Sequence, residues 1–103
     1  MKEKIHEVEA EYFKALSHPT RIKILQYLKE GEKCVCEIVP HLKDEQSNIS
    51  RHLATLKRAG ILSSEKKGVS VYYKIQDENI HKILTLALSS VKKIAKEKAA
   101  ILS

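Results

Sequence analysis

The apolar residues of this 103-residue chain leave the helical period for a single stretch, and that departure limits the fold more than any other feature. Up to Ala59, and again after Asp77, they recur every three or four residues, as one face of a helix requires. Between those stretches Ser70-Val71-Tyr72-Tyr73-Lys74-Ile75 alternates, placing Val71, Tyr73 and Ile75 on one face of a half-buried strand. Ile61 to Glu65 can pair with it through a turn at Lys66-Lys67-Gly68, where glycine tolerates a positive φ. The result is one hairpin set among helices.

The helical stretches divide at recognisable stops. Ile5, Val8, Tyr12 and Leu16 stripe a first amphipathic helix. Ser17 then offers an N-cap and Pro19 sits in the first turn of a second helix, striped by Ile22, Leu25 and Leu28 and ended by Gly31. A short third helix runs from about Cys34 to Leu42, with Pro40 kinking or shortening it. Lys43-Asp44-Glu45 turns the chain into a fourth helix, carrying Ile49, Leu53 and Leu56 and terminated at Gly60. From Asp77 a last helix repeats Ile80, Leu84, Ala87, Val91, Ile94 and Ile101 at coiled-coil-like steps.

The predicted order is α-α-α-α-β-β-α, mostly α with a β-hairpin wing. A short helix, a tight turn and a second helix followed by a basic hairpin make a winged helix-turn-helix. The whole chain, 1–103, reads as a single domain, with the helix-turn-helix at about 34–59 and the wing at about 61–75. A domain of this size buries only about two-thirds of its unfolded surface, so a second chain would help its stability.

Composition bears on partners. There are 19 Lys and Arg against 13 Asp and Glu, a formal charge of +6, which favours a polyanion: nucleic acid or an anionic membrane surface. The N-terminal residues are charged and lack the apolar core of a signal peptide, and the longest apolar run, Ile83 to Leu88, is broken by Thr85, so no membrane span is expected. Two cysteines, Cys34 and Cys36, make no disulfide framework; reduced thiols in a cytoplasmic protein are expected.

On the fourth helix, at about 100° per residue, Ile49, Leu53 and Leu56 define the buried side. Ser47, Arg51, Ala54 and Arg58 fall opposite, flanked by Asn48 and Ser50. Arginine can read guanine bidentately, asparagine can read adenine, and serine permits close approach, so this stripe suits a major groove; it would equally serve as a solvated face. Gln46 and Ser47 at the helix start can hold a phosphate. Lys66 and Lys67 at the wing tip reach a phosphate backbone or the minor groove, or stand solvated.

These segments carry a resemblance. Phe13 to Leu25, Gln46-Ser-Asn-Ile-Ser-Arg-His-Leu53 and Gly68 to Tyr73 resemble the opening, recognition helix and wing of the ArsR/SmtB family of metal-responsive repressors. Cys34-Val-Cys36 resembles the thiolate motif of its arsenic- and cadmium-type sensors. The resemblance implies a homodimer built from the first and last helices, about 1–16 and 77–103, with Ile5, Val8, Tyr12, Ile80, Leu84 and Val91 at the interface. It also implies a repressor that blocks double-stranded operator DNA and is weakened by a bound metal.

The cysteine pair supports three readings: ligands for a soft ion such as arsenic, antimony or cadmium, a redox switch, or inert small hydrophobes in a constitutive DNA-binding or architectural module. A helix N-terminus and adjacent Lys33 both favour thiolate. Residues two apart on a regular helix point about 200° apart. Two sulfurs on one ion must lie within roughly 4 Å of each other, so binding is expected to unwind or distort the first turn of the third helix. Val39 stands where a third cysteine would complete an arsenic site, leaving His6, His41, Glu7, Glu37 or an external thiol to complete it. The family's second site, on the last helix, keeps Asp77 but has Asn79, Ser90 and Lys93 at its other places, and His81 alone does not restore it. No cofactor is required, and no nucleophile–base pairing, phosphate loop or zinc-protease motif suggests an enzyme.

Overall fold

The computed structural model describes residues 4–102. Along the chain run α1 (Ile5–Ala15), α2 (Pro19–Leu28), β1 (Lys33–Cys34), α3 (Val35–Leu42), α4 (Gln46–Arg58), β2 (Leu62–Lys67), β3 (Ser70–Ile75) and α5 (Ile80–Leu102). The expected winged helix-turn-helix is present, with one addition. Lys33 and Cys34 form a short strand that pairs antiparallel with β3, Lys33 opposite Tyr73 and Cys34 opposite Tyr72, so the wing is a three-stranded sheet in the order β1-β3-β2. Two residues carry no period, so pattern alone could not show β1.

The core sits where the helical stripes converge. Ile24, Leu25 and Leu28 of α2, Ile38 of α3 and Ile49, Leu53 and Leu56 of α4 meet Ile61 and Leu62 behind the wing. Each such side chain contributes roughly 1.5–3 kcal/mol by leaving water. Among the described residues no buried side chain is polar or charged. The α2 stripe differs from expectation: Ile24 is buried and Ile22 is exposed, since residues two apart on a helix point about 200° apart and only one of them can face the core.

The caps also differ. His18, not Ser17, caps α2: its Nδ1 accepts the Thr20 N–H at 3.1 Å, while the Ser17 hydroxyl donates backward to the Lys14 carbonyl at 2.7 Å. Pro40 lies inside α3 without breaking it before Leu42, and Lys43 then turns the chain at φ 54° into the helix-turn-helix connection. The hairpin closes at Gly68-Val69, with Lys67 opposite Ser70, two residues being enough because Gly68 takes φ +64°. Lys66 and Lys67 therefore belong to β2 and not to the turn.

At the other end, Ile80 and Leu84 are not free to meet a partner as expected. They are 0% and 8% exposed within the single chain, part of its own core. Beyond them α5 leaves the body and shows Leu88, Val91 and Ile94 to solvent, while Ile5 and Val8 of α1 are likewise exposed. Tyr12 is half-buried and donates its hydroxyl to Asp77 Oδ2 at 2.5 Å, tying α1 to the start of α5. Burial, then the Asp77 carboxylate, push that phenol above its usual range. No helix among the described residues is long and apolar enough to cross a membrane.

Candidate nucleic-acid interface and cysteine site

Helix α4 presents the polar stripe as its spacing requires: Gln46, Ser47, Ser50, Arg51 and Arg58 are exposed over the buried row Ile49, Leu53 and Leu56. Arg51 is held in place by a chain of hydrogen bonds. Its Nη2 donates to Asn48 Oδ1 at 2.6 Å, and Asn48 Nδ2 donates to Asp44 Oδ1 at 3.1 Å. Asp44 Oδ1 also accepts the Glu45 N–H at 2.7 Å, and these two donors hold its carboxyl below the usual range. Asn48, expected as an adenine reader, has its amide engaged by Asp44 and Arg51 in the free protein. Asp44, a turn residue by its sequence context, stands at Asp-x-x-x-Asn spacing from Asn48, which in turn stands at Asn-x-x-Arg spacing from Arg51, both helix-neighbour spacings.

Further along α4, Thr55 donates to the Arg51 carbonyl, and Arg58 Nη2 reaches the Thr55 hydroxyl at 3.5 Å. Lys57, not singled out from sequence, donates to Ser64 at 2.7 Å and braces the helix against β2. On the wing, Lys66 is exposed, whereas Lys67 is drawn back to Glu32 at 3.1 Å and lies 4.9 Å over the Tyr72 ring. That pairing with Glu32 raises the Lys67 ammonium above its usual range. Lys66 is the better placed of the two for a phosphate.

Between α2 and α4 the rings of His18 and His52 lie 4.3 Å apart, and Arg21 Nη1 is 3.4 Å from His52 Nδ1. Burial first, then the neighbouring His18, Arg21 and Arg51, hold His52 below the ordinary histidine value. His81, through burial and then Lys29, is lowered too. A base whose folded pKa is depressed binds fewer protons in the native state. Its contribution is therefore whole above about pH 6.5, the unfolded value, and is lost as pH falls toward the folded one. Thermal melts between pH 7.5 and 5.5 should show stability falling, and His52→Gln with His81→Gln should flatten that fall; an unchanged slope would assign it to other groups.

The cysteines are built differently from a regular helix. Cys34 is the N-cap of α3, with an extended backbone at φ −71°, ψ 147°. The Cys36 N–H donates to Cys34 Sγ at 3.0 Å, and Glu37 Oε1 accepts the Cys34 N–H at 3.0 Å, a reciprocal capping box. With Cα atoms 5.0 Å apart, the two sulfurs converge and are joined as a disulfide. Two expectations are corrected here. The thiols are not free, and the sulfurs meet with α3 intact, because Cys34 lies outside the helix whose periodicity would have separated them.

Of the other suggested donors, Glu37 is committed to the cap. His41 stacks on Tyr27 at 3.7 Å on another side of α3, and His6 pairs with Glu9 on α1. Lys33 turns to Glu30 at 3.6 Å and to the Tyr27 ring, not to the sulfurs. Among the described residues, no group of three or more His, Cys, Asp or Glu side chains is assembled for a metal. Val39 lines the same groove as the cysteines, a space of about 410 Å³ bounded by α3, by Gln46 and Ser50 of α4 and by Val69 to Val71 of the wing.

A helix-turn-helix carrying an exposed basic stripe beside a three-stranded wing defines a winged helix DNA-binding fold. The model of the bacterial regulatory proteins of the arsR family matches residues 18–64. An uncharacterised HTH-type transcriptional regulator of Methanocaldococcus jannaschii is 45% identical over 82 residues, 79% of this chain and 92% of that one. A cadmium resistance transcriptional regulatory protein CadC homolog of Staphylococcus aureus is 38% identical over 87 residues, 84% and 72% of the two chains. The solution structure of a homodimeric winged helix-turn-helix domain from Mycobacterium bovis, a possible ArsR-family regulator, superposes with a TM-score of 0.79 at 26% identity, covering 89% of this chain and 85% of that one. The chain belongs to the ArsR family and is a DNA-binding transcriptional regulator.

Proposed function

We propose that the protein is a cytoplasmic repressor that binds operator DNA as a homodimer and is released when a thiophilic metal or metalloid joins the reduced sulfurs of Cys34 and Cys36. One observation carries this reading. Cys34 is at once the cap of α3, the strand partner of Tyr72 in the wing, and a wall of the groove that reaches Gln46 and Ser50 on α4. An ion held by both sulfurs takes the Cys34 lone pairs that accept the Cys36 N–H, so it bears on the wing and the helix-turn-helix together. That supplies the differential contact an allosteric effect requires. With Val39 in the groove, the protein offers two sulfurs, and water or an external thiol completes the coordination. Soft ions suit such donors, and the kinship with a cadmium-resistance regulator supports the same choice.

The disulfide favours a second reading, in which oxidation of the pair is itself the signal. Fluorescence anisotropy on an operator selected from random duplexes separates the two. Arsenite, antimonite or cadmium added to reduced protein should weaken binding by about 1–3 kcal/mol, the usual range of allosteric coupling. Cys34→Ser or Cys36→Ser should abolish that response while leaving metal-free binding nearly unchanged. Release by oxidant, with no effect of any ion on reduced protein, would establish the redox reading; no effect of either would leave a constitutive DNA-binding module.

A further inference from the structure

The two sulfurs of the disulfide are not equivalent. Cys34 is 2% exposed, while Cys36 is exposed. The buried sulfur also accepts the Cys36 N–H in the first turn of α3, a hydrogen bond that strengthens if the sulfur becomes anionic. Beside the exposed sulfur lies the groove of about 410 Å³, within the roughly 300–1,000 Å³ typical of small-molecule sites. Its walls combine the apolar Val39 and Val71 with the Gln46 amide and the Ser50 and Ser70 hydroxyls. A bare ion fills little of that space.

We propose that Cys36 is a site of S-thiolation, at which a small peptide-like thiol is joined to Sγ and lies in the groove between α4 and the wing. The inference rests on reading the cysteine pair as the switch, and it names a second class of ligand for that switch. The chemistry is an exchange. The thiolate of the small molecule attacks Cys36 Sγ and a new S–S bond forms as the Cys34–Cys36 bond breaks. Cys34 leaves as a thiolate and takes up the proton the incoming thiol lost. One disulfide replaces another, with no net oxidation. Attack at Cys34 is disfavoured because that residue is only 2% exposed. The attached group lies against Gln46 and Ser50 on one side and Val71 on the other, so it separates two elements that a duplex must meet together, and operator affinity falls.

The test uses glutathione as probe on the full chain. The disulfide form is incubated with glutathione, quenched with iodoacetamide and mapped by peptide mass spectrometry. Glutathione on Cys36 with alkylated Cys34 is the expected pattern; glutathione on Cys34, or no adduct at any concentration, overturns the proposal. Because the wild-type adduct can be resolved by Cys34, single-cysteine variants give an independent measure. With glutathione disulfide, Cys34→Ser should be thiolated at least about tenfold faster than Cys36→Ser, following thiol access, and equal rates overturn the assignment. Thiolated Cys34→Ser should bind operator at least about tenfold more weakly than the same variant after dithiothreitol, within the range of allosteric coupling; unchanged affinity removes the effect on DNA. Loss of the response to thiophilic ions together with an intact adduct on Cys36 would count against the metal switch alone, whereas an ion response without any adduct would count against S-thiolation alone.

Discussion

The double substitution Val91→Asp, Ile94→Asp is expected to give a folded monomer with at least about 100-fold weaker operator binding, since a half-site complex forgoes several kcal/mol of duplex contacts. The 23-residue α5 is about 34 Å long, and only its first turns enter the core, through Ile80 and Leu84. Val91 and Ile94 are 59% and 50% exposed in the single chain, so carboxylates there cost the protomer little. In a dimer that covers this seam, each carboxylate would be stripped of water without a partner, a penalty of several kcal/mol per group. Sedimentation should therefore show monomers while circular dichroism keeps its helical signal. Leu84→Asp is a poor probe of the same question, because Leu84 lies in the protomer's own core, where a buried carboxylate should unfold the chain. An intact dimer in the double variant would place the interface on another surface.

The contrast between Leu84 and Val91 shows what a period can and cannot reveal. The repeat from Ile80 to Ile101 identifies one apolar face, but it is silent on where that face passes from the core to open surface, since both environments select the same residues. The buried and exposed faces of α4 are legible for the opposite reason: buried Ile49, Leu53 and Leu56 and exposed Arg51 and Arg58 differ in chemistry as well as phase. What stayed hidden was set by single residues in non-repeating backbone. Extended φ/ψ at Cys34 decides that two sulfurs meet, and two residues of β1 decide that they meet against the wing. His18 took the cap from Ser17 because imidazole Nδ1 reaches a first-turn N–H as well as a hydroxyl does, a choice that propensity ranks the other way.

Arg51→Ala should weaken the preferred operator by about 1–3 kcal/mol and relax specificity at a single base position, the loss expected of a bidentate contact to guanine. The structure strengthens this over a bare count of arginines. An unrestrained arginine on a helix surface loses much of its contact energy to rotamer entropy on binding. Arg51 is instead aligned in advance by Asn48, which Asp44 fixes in turn. Asn48→Ala and Asp44→Ala should therefore each weaken the same base position by a smaller amount, about 0.5–1.5 kcal/mol, the net worth of one hydrogen bond. Their effects should not add to that of Arg51→Ala, since all three remove one contact. Lys66→Ala should behave differently, weakening every duplex alike and reducing the salt slope by about one, as loss of a phosphate contact does. If Arg51→Ala left the preferred operator unaffected while Lys66→Ala weakened it, the wing would carry the binding and the reading face of α4 would lie elsewhere on the helix. If Asn48→Ala and Arg51→Ala were additive, Asn48 would be reading a base of its own, and the amide would have to exchange Asp44 and Arg51 for DNA on binding.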